Sequence, residues 1–323
     1  MTQGKSWFQK LAAKLKPSEE EEIPSGTEIS SMRKSLLGDL TTYDPSLADR
    51  LNQLLDQIEN SQIKPPLLPQ VALELLALSR SSSVNFEKMA QLAVGDPAVA
   101  ARIMELSSSP FVSPLSPPKG LKEALVRLGV DGVRQVAFEL SFSSKTLKRG
   151  PHVRMAERTI LHARTASALC RLLAKDVGLH SGLAALTGLV HALGGLVLID
   201  ALSQTAAKSR GRKTNLRPVP GFLVYLCVNR LHPLVTGQIA EHFTLEQPLI
   251  NAVKGHHHKL EEAEPLTRLL FFADLISPGE PGARVIPLEE ALNRSGLQLE
   301  EPAVRHRLAP LIQSVEGQRS QLP

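Results

Sequence analysis

The sequence predicts an all-α protein. Leucine and alanine are frequent whereas aromatic residues make up only 4% of the chain, a composition that favours packed helices over a β-sandwich or barrel. Apolar residues recur at helical spacing along most of the chain, and no stretch shows the alternation typical of a strand. With 323 residues, of which 42% are hydrophobic, the chain can bury one large core or two smaller ones. We expect a helical bundle of two packed helical subdomains.

Residues 1–30 are predicted to be a flexible segment that contains a short basic amphipathic helix. In the stretch 5–16, lysines surround a face of four apolar side chains. These are Trp7, Phe8, Leu11 and Leu15. The acidic run at 19–22 and the Pro-Ser-Gly-Thr after it are typical of a tether. The four side chains are candidate contacts for a membrane surface or a partner protein, and the alternative is that the helix folds back onto its own domain.

Prolines and capping residues divide the chain that follows. Residues 31–61 form a predicted helical extension, broken near Asp44 and Pro45. The paired prolines Pro65 and Pro66 mark the boundary of the main domain. Asn85 stands before one apolar helical pattern, so it is a predicted N-cap.

Asp96 is the next predicted N-cap, because a proline at the first helical position follows it directly. We expect the main domain to cover residues 62–277, with an N-terminal helical lobe at 62–150 and a second lobe at 151–277. Residues 278–323 are predicted to be a C-terminal extension of two helices.

Charge and cysteine content exclude several classes of protein. The formal net charge is +5, but basic and acidic residues are interspersed and the basic clusters lack aromatic neighbours, so nucleic acid is an unlikely partner. Cys170 and Cys227 both lie in apolar helical stretches, which argues against a disulfide framework and indicates a reducing compartment. The first residues lack the apolar region of a signal peptide, and we expect no membrane-spanning run of about eighteen uncharged apolar residues. The expected location is cytoplasmic.

Histidine is the most informative residue type. Five histidines and a late aspartate lie at the starts or faces of predicted helices that are widely separated in sequence. These are His162, His191, His232, His256, His257 and Asp274. Imidazoles and carboxylates bind iron, manganese and zinc, and the core of a helical bundle can gather them. For any single histidine, a packed or surface role is the alternative.

One segment resembles a known family. The stretch Gly-Leu-Val-His191-Ala192-Leu-Gly-Gly195 resembles the Gly-Leu-Leu-His-Asp-Ile-Gly-Lys segment of HD-type phosphohydrolases. Its surroundings are similar to the related HDOD output domain, which opens with an Asp-Pro helix, here at Asp96, and continues with an Ala-x-x-x-Leu-Gly segment, here ending at Gly129. The resemblance covers about residues 62–277 and implies an HD-like second lobe in a bacterial protein.

The resemblance also implies a vestigial site. In the catalytic HD enzymes, positions that match the five histidines and Asp274 bind metal. Ala192 replaces the family aspartate that bridges two metals, and a methyl group cannot replace a bridging carboxylate. Gly195 replaces a lysine expected near a substrate phosphate. We therefore expect no catalytic residue, no metal and no other cofactor; if a metal binds, those six residues would hold it.

The sequence favours a non-enzymatic bacterial adaptor in signal transduction or regulation, which binds a partner protein through its HDOD-like domain. One alternative is a metal-dependent phosphohydrolase or phosphodiesterase with a reduced site, in which His191 and Asp274 hold the metal and His256 or His257 assists. The other is a nucleotide-sensing module without turnover, in which Arg164 and Lys254 could face phosphate.

Overall fold

The structure is a computed structural model. It describes residues 44–277, apart from 82, 110–111, 113–115, 144–146, 148–149, 208–217 and 259, then residues 286–319, and in addition Ile29, Ser30 and Leu37. The predicted amphipathic helix with Trp7, Phe8, Leu11 and Leu15 lies outside the described residues. Those that are described form helices and no strand, which confirms the predicted all-α class.

Five helices come first, and they are α1 (Pro45–Glu59), α2 (Gln70–Ser79), α3 (Phe86–Val94), α4 (Pro97–Ser107) and α5 (Leu121–Glu139). The predicted caps at Asn85 and Asp96 are confirmed, and Asp44 is a further cap that the sequence analysis did not identify. The carboxylate of Asp44 accepts a hydrogen bond from the N–H of Leu47 at 3.0 Å, and the side chain of Asn85 accepts one from Lys88 at 2.9 Å. The carboxylate of Asp96 likewise accepts hydrogen bonds from two backbone N–H groups in the first turn of α4. Side-chain caps therefore fix where α1, α3 and α4 begin.

The second lobe follows. Its helices are α6 (Val153–Leu173), α7 (Ser181–Val190), α8 (Leu193–Ala207), α9 (Gly221–His242), α10 (Gln247–Gly255) and α11 (Pro265–Ile276), and the chain continues with α12 (Leu288–Ser295) and α13 (Glu301–Arg319). Helix α5 kinks at Gly129, whose φ of +66° lies in the left-handed region that glycine adopts readily.

Two hydrophobic cores correspond to the two lobes. The smaller core lies among α2 to α5 and centres on the fully buried Met89, Ile103 and Leu125. The larger core is shared by α6 to α13, and α1 joins it through Leu47 and Ile58. The helix before the main domain and the two helices after it therefore pack on the HD-like lobe.

One sequence expectation was wrong. The described residues contain an apolar stretch, Ser181–Ser203, that is long and apolar enough to cross a membrane by length and composition. It comprises α7 and the start of α8, separated by a turn at His191 and Ala192, and 83% of its most apolar window is buried inside the fold. The stretch is apolar all round because it runs through the core of the second lobe.

Arg134 on α5 connects the two lobes. Its guanidinium donates to the hydroxyl of Ser79 at 3.1 Å and forms an ion pair with Glu246, which precedes α10. Beside this contact, the rings of Phe138 and Phe243 meet edge to face with their centroids 5.2 Å apart. The two lobes are therefore joined by polar contacts of Arg134 and by an aromatic contact beside them.

Replacing Arg134 with alanine should lower the free energy of unfolding by about 1–3 kcal/mol, because the buried Ser79 loses one hydrogen bond and Glu246 loses its ion pair. Urea unfolding followed by circular dichroism measures the change. The control is Arg305→Ala, which removes an exposed ion pair with Glu301 and should cost less than about 0.5 kcal/mol. Equal losses in the two variants would show that Arg134 does not hold the lobes together.

Candidate metal centre

The structure brings the six predicted ligands together in the core of the HD-like lobe. His162 lies on α6, His191 at the turn between α7 and α8, His232 on α9, His256 and His257 directly after α10, and Asp274 on α11. His191 and His256 are fully buried, and His162 and His232 are nearly so. The site is thus built from five separate parts of the chain, as in other helical bundles that gather a polar centre.

Two glycines allow the helices that carry the site to approach closely. A Cβ atom on Gly188 would lie 2.7 Å from the carbonyl oxygen of Ala166 on α6, and one on Gly194 would lie 2.5 Å from that of His232 on α9. Any larger residue would push these helices apart.

Thr236 ties α9 to the turn that carries His191. Its hydroxyl donates to the carbonyl oxygen of His191 at 2.7 Å and accepts from the N–H of Gly194 at 3.0 Å. Sequence reasoning missed this residue, although its position four residues after His232 places both on one face of the helix.

Backbone carbonyl oxygens orient three of the imidazoles. The Nδ1 atoms of His191, His232 and His256 lie 2.6, 2.9 and 3.0 Å from the carbonyl oxygens of Gly188, Val228 and Val253. A carbonyl oxygen only accepts, so each Nδ1 carries the proton and each Nε2 presents a lone pair to the centre. Metal-binding histidines are commonly oriented by a second contact of this kind.

The six side chains form two triads. The first triad is His162, His191 and Asp274, the second is His232, His256 and His257, and within each triad the candidate ligand atoms all lie within 4.8 Å of one another. In the first triad, the Nε2 atom of His162 lies 3.0 Å from that of His191 and 2.9 Å from Oδ1 of Asp274. Each triad offers three donor atoms to a cation.

The second triad contains an arrangement that is unfavourable without a cation. The Nε2 atoms of His232 and His256 are 3.2 Å apart, and both present lone pairs. Burial, with the nearby His257, holds the pKa of each well below the ordinary value, so both rings are neutral. Two nitrogens bound to one tetrahedral zinc at about 2.0–2.1 Å would be separated by roughly 3.3 Å. The pair therefore fits one cation.

Asp274 links the two triads. Its Oδ1 atom belongs to the first triad, whereas Oδ2 lies 3.2 Å from Nε2 of His257 in the second. Burial alone would raise the pKa of Asp274, but the imidazoles of His162 and His257, whose Nε2 atoms lie within hydrogen-bond distance of its two oxygens, hold it well below its usual value. Among the residues that the structure describes, none hydrogen-bonds to the buried Nδ1 atom of His257. Both an ionised carboxylate and an unused imidazole nitrogen are suitable metal ligands.

Ala192 and Gly195 lie beside this centre and add no charge to it. Ala192 is buried with its methyl group, so the turn after His191 contributes no carboxylate. A Cβ atom on Gly195 would lie 3.2 Å from Val228 and 3.9 Å from Cβ of His232. The two triads therefore contain one carboxylate, that of Asp274.

An all-helical lobe with a buried histidine-aspartate centre defines the chain as an HD-like protein. A family model for the HDOD domain matches residues 66–259, and the chain belongs to that family. This confirms the family that the sequence resembles.

Relatives and solved structures agree on the fold. The chain is 25% identical over 198 residues to ribonuclease Y of Petrotoga mobilis, a match that covers 61% of this chain and 32% of that relative's length. A phosphohydrolase candidate from Shewanella amazonensis superposes with a TM-score of 0.56 at 17% identity, over 84% of this chain and 98% of that one. A candidate signal transduction protein from Marinobacter aquaeolei superposes with a TM-score of 0.51 at 18% identity. That match covers 88% of this chain and 68% of the Marinobacter chain.

Loading the protein with zinc, iron(II) or manganese(II) and removing the excess should leave about one ion per chain, because five imidazoles but only one carboxylate are available. Elemental analysis measures the content, and chelation should lower the melting temperature. His191→Ala should lose the ion. The control is His306→Ala, an exposed histidine on α13, which should keep it. A metal content that is the same in both variants, or absent in the wild type, would contradict this assignment.

Proposed function

We propose that this protein is a regulatory HDOD module that does not hydrolyse phosphate esters, and that it transmits a signal by binding a partner protein. Membership of the HDOD family supports a regulatory role, as does the fold shared with the Marinobacter protein described as a candidate for signal transduction. The single observation that carries the non-catalytic part is the absence of a second carboxylate from the two triads.

The charge of the centre favours one cation over two. Two divalent cations would bring four positive charges into a buried site whose triads contain one ionised carboxylate, Asp274. Uncompensated buried charge is strongly unfavourable. Two-metal hydrolysis relies on a carboxylate that bridges the cations, and Ala192 supplies none at the position where the HD enzymes have one.

Burial of the ligands also opposes hydrolysis. Catalytic metals keep an open position for water or substrate, whereas structural metals are closed in by protein ligands. His191 and His256 are fully buried, and His232 is 7% exposed. A cation held by these residues would join α7, α9 and α10, a structural role that needs no substrate access.

The N-terminal lobe offers apolar contacts for a partner. Leu67 before α2, Val94 at the end of α3 and Val126 on α5 are 90%, 67% and 55% exposed. Helices α3 and α5 pack against each other, so both valines belong to the same small lobe. Exposed large apolar residues of this kind are typical of protein contacts.

One observation favours the alternative of a metal-dependent phosphohydrolase. The two oxygens of Asp274 extend towards different triads, so this carboxylate could contact two cations in place of the missing aspartate. In that enzyme, His191 and Asp274 would hold metal, and His257 would orient water or a phosphate.

The metal-loaded protein should show no turnover of bis(p-nitrophenyl) phosphate, a cyclic dinucleotide or an RNA oligonucleotide beyond that of His191→Ala, since both lack the bridging carboxylate. Product release is measured at stoichiometric zinc, iron(II) and manganese(II). The matched variant Ala192→Asp should raise the metal content to about two ions per chain. Turnover in the wild type that His191→Ala abolishes would overturn the non-catalytic proposal in favour of the enzyme.

A double variant, Val94→Glu and Val126→Glu, should lose interaction partners that the wild type retains, because two charges disrupt an apolar contact. Proximity labelling in a bacterial host, with quantitative mass spectrometry, measures the loss. Both positions are exposed, so the melting temperature should stay within about 2 °C of the wild type. The control, Arg305→Glu on α13, should keep the same partners. An unchanged partner profile in the double variant would exclude this surface.

A further inference from the structure

A second polar site lies between the two lobes, away from the histidines. An open cavity of about 80 Å³ is bounded by α4 and α5 of the N-terminal lobe and by α6 of the HD-like lobe. Its polar lining residues include Arg102, Gln135, Glu139, Arg164, Ser167 and Arg171. They come from both lobes, so a ligand in the cavity would touch both.

Positive charge exceeds negative charge in this cavity. Its lining contains three guanidinium groups and one carboxylate, that of Glu139, whose side chain is 2% exposed. Glu139 forms an ion pair with Arg102, whereas the Nε atom of Arg164 lies 3.9 Å away from it. Arg102 also forms an ion pair with Glu105 at 2.8 Å, so two carboxylates face three guanidinium groups and positive charge remains in excess.

Arg171 is the guanidinium group in the lining whose positive charge is least neutralised by carboxylates. Its Nη2 atom donates to the neutral side-chain oxygen of Gln135 at 2.8 Å, and within the described part of the chain no carboxylate lies within 4 Å of its guanidinium. Burial lowers the pKa of Arg171, and the charge of Asp131 only partly opposes this. A desolvated guanidinium that hydrogen-bonds to an amide is stabilised when an anion binds beside it.

The floor of the cavity holds these groups in place. The amide nitrogen of Gln135 lies 3.2 Å from the hydroxyl of Ser167, and that hydroxyl donates to the carbonyl oxygen of Ala185 at 2.7 Å. Gln135 and Ser167 are both buried. A network that is already hydrogen-bonded does not have to be ordered when a ligand arrives.

We propose that this cavity binds the phosphoryl group of a small soluble phosphate ester. An anionic phosphoryl group matches this excess of positive charge, and guanidinium groups bind phosphate oxygens through paired N–H donors. The volume accommodates one such group, so the organic part of the ester extends towards solvent, where the side chain of Arg164 is 49% exposed. The site is independent of the metal centre, since none of its lining residues belongs to either triad.

Isothermal titration of the full chain with glycerol 3-phosphate and with inorganic phosphate tests the proposal. EDTA is present so that phosphate cannot bind through a metal, and chloride keeps the ionic strength constant. Both probes should bind saturably, and neutral glycerol should not. Arg171→Gln and Arg164→Gln should each weaken binding about tenfold or more, because a charge-assisted hydrogen bond to phosphate is lost.

The exposed Arg305→Gln variant is the control and should bind as the wild type does. Arg164 is half exposed, so its variant stays folded even where Arg171→Gln does not, and circular dichroism verifies this. Absence of saturable binding, or equal affinity in Arg164→Gln and the control, would overturn the proposal. Binding of inorganic phosphate without glycerol 3-phosphate would exclude a phosphate ester as the ligand.

Discussion

The HD-like lobe is organised around imidazole nitrogens that face one another in a buried centre. His191, His232 and His256 each give their Nδ1 proton to a backbone carbonyl, which leaves the inner nitrogens as lone pairs at short separation. Such an arrangement is stable only with a cation or a proton between the rings, and burial disfavours the proton. The close approach of α6 to α7 and of α8 to α9, made possible by Gly188 and Gly194, serves this one geometry.

The sequence predicted those features that depend on neighbouring residues in the chain, such as helix caps. Asn85 and Asp96 were recognisable as caps because a side chain that hydrogen-bonds to the next turn needs only its own neighbours. The candidate ligands were recognisable because a family resemblance fixed their order. The contact of Asp274 with His162 and that of Arg134 with Glu246 each join residues 112 positions apart, so no local pattern reveals them. The length of the apolar stretch through α7 and α8 is readable from the sequence, and only its burial inside the fold required the structure.

The centre keeps its imidazoles while it lacks the second carboxylate, and this combination separates metal binding from metal catalysis. Imidazoles from α6, α9 and the ends of α7 and α10 give a cation ligands in parts of the chain far apart in sequence. A metal bound in this way contributes its binding free energy to folding. Ala192 and Gly195 remove the charges that hydrolysis would use without disturbing this role, since both fit in the packed interior.

Helix α6 carries His162 in the metal centre, and Arg164, Ser167 and Arg171 along the wall of the cavity between the lobes. His162 and Arg164 are two residues apart on one rigid element, so a displacement that alters one site also moves the other. By thermodynamic linkage, an anion in the cavity that changes the affinity for metal by some factor requires the metal to change the affinity for the anion by the same factor. If both proposed sites bind their ligands, helix α6 would couple the metal to the anion.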